Sequence, residues 1–246
     1  MTDISPELLE AWNTYGRYAA YFSAGVGVLV FLSHVFKLLT IKEQKDKYDY
    51  INTSEINLLW YSAILLIIGA AIYTNTIVDK TGWLWFFVRI FVSSMLAIIV
   101  GVVIQNVLKF YYPFFIEKRL KQLRYSPRLS PEGKKMRLLS EEEEDVYLDE
   151  GMQAEEDAFS VDYDVWLDEE SGYTKIEKYN GRLHALKCTE CSYQTLKLNQ
   201  EEVIQSPTTT EEGELMKHFT CTYCGHKSRK SARLPRIREA EAEEAQ

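Results

Sequence analysis

Three long apolar runs fill the first half of the chain, from about Tyr18 to Leu39, from Leu58 to Val78 and from Trp83 to about Phe110. Each reaches the roughly 20 apolar residues needed to cross bilayer hydrocarbon, and ionisable residues inside them are few. A soluble fold of 246 residues would have no polar shell left to cover three such helices, so the runs read as three membrane spans. The overall averages, a net charge of -8 and 46% hydrophobic residues, describe neither half. Apolar residues dominate before Phe115 and most of the acids follow it.

The leader MTDISPELLEAWNTYGR is acidic and the run behind it is too long for a signal-peptide core, so the first run is expected to be retained as a span. Ser5-Pro6-Glu7 offers a cap, a proline at the first helical position and an early acid. With Leu8, Leu9 and Trp12, residues 1–16 are expected to form a short interfacial helix ahead of a three-helix transmembrane domain over 17–116.

Basic residues set the expected orientation. Lys37, Lys42, Lys45 and Lys47 follow the first span, one lysine sits in the Asp79-Lys80-Thr81-Gly82 turn, and Lys109, Lys118, Arg119, Lys121, Arg124 and Arg128 follow the third. By the positive-inside rule a three-span chain then has its N-terminus outside and its C-terminal half in the cytosol, a multi-pass protein of the cytoplasmic (inner) membrane. Within the spans the polar residues that stand out are His34, Arg89 and the Gln105-Asn106 pair. Arg89 is about 9 Å along a helix from Trp83, close enough to snorkel to the interface. No acid sits mid-span, which argues against a proton-coupled transporter. Gly16, Gly25 and Gly27 in the first span and Gly69 in the second offer small surfaces for close helix packing, within the bundle or against a partner subunit.

Past the aromatic cluster Phe110-Tyr111-Tyr112-Pro113-Phe114-Phe115, residues 117–127 read as a basic juxtamembrane helix whose charge suits anionic lipid headgroups. Farther on, the chain's only four cysteines form Cys188-x-x-Cys191 and Cys221-x-x-Cys224, the two-knuckle spacing of one tetrahedral zinc site. Residues 181–238 are therefore expected to be a zinc ribbon holding one structural Zn2+ on Cys188, Cys191, Cys221 and Cys224. A thioredoxin-like redox motif fits poorly, since that motif needs a single C-x-x-C opening a helix in a βαβ setting. His184, His218 and His226 lie close enough to serve as ligands, but four thiolates already complete the site.

The ribbon also works as a template for an internal repeat. Trp166-Leu167-Asp168-Glu169-Glu170-Ser171-Gly172 has the shape of the Cys221 knuckle, with Asp168 and Ser171 where thiols would stand, and Ser130-Pro131-Glu132-Gly133 resembles a shortened first knuckle. Ser130, Glu132, Asp168 and Ser171 offer hydroxyls and hard carboxylates, so a unit over 128–180 is expected to be metal-free. Its core is expected from Met136, Leu138, Tyr147, Val161, Tyr163, Val165 and Trp166. The fold class is thus α-helical membrane protein plus a small, mainly-β soluble region of two tandem zinc-ribbon-like units, closing on an acidic tail over 239–246.

The order Gly133-Lys-Lys-Met136-x-Leu138, Tyr147-Leu148-x-x-Gly151-x-x-Ala-Glu155-Glu156 and Ser160-Val161-Asp162-Tyr163-Asp164-Val165-Trp166 is similar to the cysteine-rich cytosolic tail that follows TPM domains in bacterial membrane proteins. The match continues through Cys188-x-x-Cys191-x-Tyr193-x-Thr195-Leu196, Gly213, Cys221-x-x-Cys224-Gly225 and Leu234-Pro235-Arg236, covering about residues 125 to 238. The resemblance implies two ribbons in tandem on a membrane anchor, with zinc on the four cysteines. The first ribbon has lost its cysteines and no TPM domain precedes it, so no activity of that domain carries over.

Catalytic motifs such as the nucleophile elbow, the P-loop and the His-Glu-x-x-His helix are absent, and Glu155-Glu156 with Asp162 and Asp164 read as a solvated acidic surface. The basic run from Lys227 to Arg238 would suit phosphates. The acids around Glu141–Asp145, up to Glu170, and from Glu239 to Glu244 weigh against nucleic acid and favour pairing within the chain or between copies. The expectation is a non-enzymatic adaptor or accessory subunit of a larger bacterial membrane complex, with membrane or cytosolic protein partners or a second copy. The alternatives are a non-catalytic subunit of a membrane enzyme or transporter, or a factor contacting the ribosome or nucleic acid.

Overall fold

The computed structural model describes residues 4–77, 82–181 and 183–237. The Asp79-Lys80-Thr81 segment of the turn expected between the second and third spans and the acidic tail from Glu239 lie outside the described residues. The chain divides into two units, one ending at Ser126 and the other beginning at Pro127.

The first unit is helical: α1 (Pro6–Thr40), α2 (Gln44–Thr74), α3 (Trp83–Asn106), a π-helix (Val107–Tyr111) and α4 (Tyr112–Tyr125). Among the described residues three helical stretches, Pro6–Thr40, Gln44–Thr74 and Trp83–Tyr125, are long and apolar enough to cross a membrane. The leader and the first span form one continuous helix, because nothing between Pro6 and the apolar run breaks it. The acid Glu7 in its first turn and Lys37 in its last both complement the helix dipole.

Helices α1 and α2 pack antiparallel. Arg17 Nη2 donates to the Thr76 carbonyl at 3.3 Å, Ser23 Oγ to the Leu65 carbonyl at 2.8 Å and Ser62 Oγ to the Gly27 carbonyl at 2.9 Å. These contacts give hydroxyls and a guanidinium partners that lipid cannot supply. The approach is close where side chains are missing: a Cβ on Gly69 would lie 2.9 Å from the Ala20 carbonyl oxygen, and one on Gly27 3.1 Å from that of Ser62. Gly25, by contrast, has no described residue within 4 Å of the place a Cβ would take. Helix α3 joins α2 through Asn75, whose Nδ2 donates to Ser93 Oγ at 2.7 Å.

The π-helix has a local cause. Pro113 carries no N–H, so the Lys109 carbonyl has no i+4 donor, and over Val107–Tyr111 the ladder shifts to i+5 instead of breaking. Tyr112 and Arg119, two turns apart on α4, then both reach Glu55 of α2, donating to its Oε1 at 2.6 Å each.

The second unit holds two three-stranded antiparallel sheets among the described residues. The first has the order β1 (Arg137–Leu138), β2 (Val161–Leu167), β3 (Thr174–Asn180), and the second the order β4 (Leu196–Gln205), β5 (Gly213–Cys221), β6 (Lys227–Leu234). Two short helices, α5 (Glu141–Glu144) and α6 (Glu150–Asp157), lie between β1 and β2, where the sequence reads as strands and turns. Both are started by caps: Ser140 N–H donates to Glu143 Oε2 at 3.0 Å, and Asp149 Oδ1 accepts from Met152 N at 2.7 Å.

The core under the first sheet is Leu139, Leu148, Val161, Tyr163 and Val165. Of the expected core, Met136, Val161, Tyr163, Val165 and Trp166 are buried, whereas Tyr147 is exposed and its neighbour Leu148 points inward. The one-residue shift follows from the helical turns, whose phase a strand-based reading misassigns. The supposed acidic surface is also partly interior. Glu155 is 1% exposed and Asp164 5%, with Glu155 Oε2 accepting from Lys178 Nζ at 2.7 Å and from the Tyr163 hydroxyl.

Candidate metal centre

The β5–β6 turn brings Cys221 and Cys224 to the end of the second sheet, and the loop before β4 brings Cys188 and Cys191 to meet them. In both turns the chain doubles back on a left-handed residue. Gly225 (φ 75°) lets its N–H reach the Cys221 carbonyl at 3.1 Å, and Ser192 (φ 66°) lets its own reach that of Cys188 at 3.0 Å. Each turn therefore projects two thiols to one side.

The four sulfurs lie within 4.8 Å of one another. Cys188 Sγ is 3.7 Å from Cys224 Sγ, and Cys191 Sγ is 3.8 Å from Cys221 Sγ. A tetrahedral ion with metal–sulfur bonds of about 2.3 Å has sulfur–sulfur edges of about 3.8 Å, so the thiols fit such an ion with little movement. Thr195, fully buried, places its Oγ1 3.0 Å from Cys221 Sγ, and the Cys224 N–H donates to the same sulfur at 3.3 Å. Burial pushes the Cys221 thiol up, but the Thr195 hydroxyl and the turn's N–H groups outweigh it and bring it down to about 6. At Cys224 a backbone hydrogen bond with His226 lowers the thiol, yet desolvation and the neighbouring thiols push it up to about 12. One thiol of the cluster is thus lowered and another raised, and thiol ligands of this kind release protons when a metal enters.

Packing points the same way. The buried cluster of the second sheet is Cys188, Leu196, Phe219 and Cys221, two of them ligand candidates, and β4 is exposed over most of its length. So small a core does not fold a three-stranded sheet unaided. The histidines belong elsewhere: His218 Nε2 faces Glu202 Oε2 at 3.3 Å and His226 Nε2 faces Thr189 Oγ1 at 3.4 Å.

The first sheet repeats the same frame without thiols. Gly172 N donates to the Asp168 carbonyl at 2.8 Å as Gly225 N does to Cys221, and Asp168 N takes the Tyr173 carbonyl at 2.9 Å as Cys221 N takes that of His226 at 2.8 Å. The Ser130 knuckle is one residue tighter, with Gly133 N donating to the Ser130 carbonyl at 2.8 Å. Where a metal would sit, the Asp168 carboxylate accepts from Ser171 Oγ at 2.7 Å and from Glu170 N at 3.1 Å. Ser171 is the main cause of its low pKa, with Glu170 N and Ser130 adding to it against the cost of desolvation. Glu132 is turned outward, 3.5 Å from Lys134 Nζ. Across the sheet Arg128 grips Glu177 through two nitrogens, at 3.0 and 2.7 Å, and lies 4.7 Å over the Trp166 ring.

Sequence reasoning singled out the cysteines but missed several buried carboxylates, Glu55 and Glu155 among them. Glu155 links the two sheets, its Oε1 accepting from Gln194 N at 2.5 Å. Glu55 is 1% exposed and lies between α1, α2 and α4. Nothing in their spacing sets them apart from solvated acids.

These elements define a class: helices long and apolar enough to cross a membrane, joined to a small β unit with a four-cysteine cluster able to hold a metal ion. Comparisons with protein-family models, with curated proteins and with solved structures find no match to the chain.

Proposed function

We propose that this chain is a membrane-anchored zinc-ribbon adaptor, an accessory subunit of a larger complex in a bacterial cytoplasmic membrane, with one structural zinc on Cys188, Cys191, Cys221 and Cys224. The observation that carries the reading is the pair of sulfur–sulfur distances, 3.7 and 3.8 Å, at the edge length of a tetrahedral thiolate site. All four positions are thiolate-capable, which leaves no open coordination position for substrate and gives the ion a structural role. The repeated frame of the first sheet, with Asp168 and its hydroxyl donors in place of metal, supports a tandem ribbon whose first member became a surface for partners. The lysines clustered at the adjoining ends of α1 and α2, Lys37, Lys42, Lys45 and Lys47, and the basic α4 support a cytosolic second unit, where thiols stay reduced.

Purification of the full chain in mild detergent, followed by elemental analysis and identification of what travels with it, tests the proposal. One zinc per chain and protein subunits in fixed ratio are expected. Bound RNA in their place would favour the nucleic-acid-contacting alternative, and a metal-free chain that keeps its partners would remove zinc from the account.

A further inference from the structure

We propose that His34, Glu55 and Arg119 form a proton-operated latch that holds α4 against the helical unit when His34 is neutral and releases it when His34 is protonated. The latch lies wholly within the helical unit and is independent of the metal centre.

Glu55 projects from α2 into a junction of three helices and is 1% exposed. Its Oε1 accepts from the Tyr112 hydroxyl and from Arg119 Nη1, both on α4 and both at 2.6 Å. Its Oε2 accepts no hydrogen bond among the described residues and lies 3.8 Å from Nε2 of His34 on α1. The Tyr50 hydroxyl of α2 is 2.9 Å from His34 Nδ1, and the Lys37 ammonium of α1 sits 4.5 Å from the centre of the Tyr50 ring. Among the described residues the charged and titratable groups facing the pair are therefore His34 and Lys37 from α1, Tyr50 and Glu55 from α2, and Tyr112 and Arg119 from α4.

With Tyr50 donating to Nδ1, neutral His34 carries its proton on Nε2 and turns it toward the open oxygen of Glu55. One carboxylate then balances one guanidinium. Protonation of His34 places a second cation beside that carboxylate, with Lys37 nearby and no further anion among the facing groups. A buried excess charge is costly, and the cluster sheds it through the member with the easiest route to water. His34 and Glu55 are enclosed, whereas the Arg119 side chain is 41% exposed. Arg119 is thus the group that leaves, and α4 moves with it. The latch would couple the proton concentration at this end of the helices to α4, the last helix of the helical unit.

The test is amide hydrogen exchange across α4, residues 112–125, on the full chain in phosphatidylcholine nanodiscs at pH 8 and pH 5, corrected for the intrinsic exchange rate. Wild type should exchange about tenfold faster at pH 5, the coupling expected of an ordinary two-state switch. His34→Gln should stay at the protected level at both pH values, and Glu55→Gln should be fast at both. Equal protection of wild type at the two pH values, greater protection in acid, or a wild-type step retained in His34→Gln would overturn the latch. If His34→Gln disturbs the packing of α1, seen as lost protection in its central turns, Tyr50→Phe takes its place. That variant keeps the imidazole but removes the Nδ1 partner and must shift the midpoint of the step; an unmoved midpoint rejects the proposal.

Discussion

Two adjacent glutamates show how far a residue's surroundings outweigh its type. Glu155 is buried, which raises its pKa, but Lys178, Tyr163 and Gln194 N bind the charged form and hold it below the usual range. Its stabilising contribution is therefore present above the unfolded carboxylate pKa and is lost as pH falls through the lower folded value. Glu156 is desolvated with only the Tyr163 N–H, at 2.8 Å, to favour its charge, and Glu141, Asp162 and Asp145 help raise it to about 7. The folded state then binds that proton more tightly than the unfolded chain, so stability grows as pH falls through about 7 towards the unfolded value. At pH 8 the two neutralising variants should act in opposite directions. Glu155→Gln should destabilise the second unit by about 2 kcal/mol, as expected for a hydrogen-bonded buried charge, seen as a lower urea midpoint in pulse proteolysis, and Glu156→Gln should raise that midpoint. At the metal centre, Cys188→Ser or Cys224→Ser removes a ligand from a site expected to supply on the order of 10 kcal/mol of folding free energy. The second sheet should become protease-sensitive in either variant while the chain still inserts in membranes. A resistant sheet would show that the metal does not hold it together.

At the scale of the element, the knuckle turns separate backbone strain from packing. Among the described residues nothing lies within 4 Å of the position a Cβ would take on Gly225, so Gly225→Ala tests the cost of its φ of 75°. It should destabilise the second sheet by about 1 kcal/mol, read from metal retention during a chelator titration. Ser192 holds a φ of 66° with a side chain present, and Ser192→Gly should shift the same titration the other way by a smaller amount. Gly151 on α6 is the opposite case. A Cβ there would fall 2.0 Å from Cζ of Tyr193, so Gly151→Ala must displace the ring that also donates from its hydroxyl to the Asp149 cap at 3.1 Å. Overpacking of this kind costs about 1–3 kcal/mol, and the loss should appear as cleavage near Tyr193 in limited proteolysis.

For the whole molecule, the second unit contains one thiolate site and one hydrogen-bonded copy of it. The expected metal content is therefore one zinc per chain by elemental analysis, and two would mean that Asp168 and its neighbours bind an ion after all. A reporter-fusion map should place Lys45 and Gln246 on the cytosolic side and Lys80 opposite. A second unit exposed to the outer face would overturn both the adaptor reading and a reduced metal site.

The sequence alone determined what rests on spacing and bulk composition. Apolar runs long enough to cross hydrocarbon leave helix as the ready way to satisfy the backbone, and paired C-x-x-C knuckles leave few ways to arrange four thiols, so the three helices and the cysteine cluster were legible. The equivalence of the Asp168 knuckle to the Cys221 knuckle was legible too, because a turn with a positive-φ glycine keeps its shape when the ligands change. What only the tertiary structure decided is which acids are interior. Glu55, Glu144 and Glu155 look like any others in a chain with 36 acidic residues, and each is buried because a donor from a distant element arrives to meet it: Arg119 for the first, Val165 N for the second, Lys178 and Gln194 N for the third. Those donors are 21 to 64 residues away in sequence, and a carboxylate carries no local mark of a partner that folding alone brings within hydrogen-bond reach.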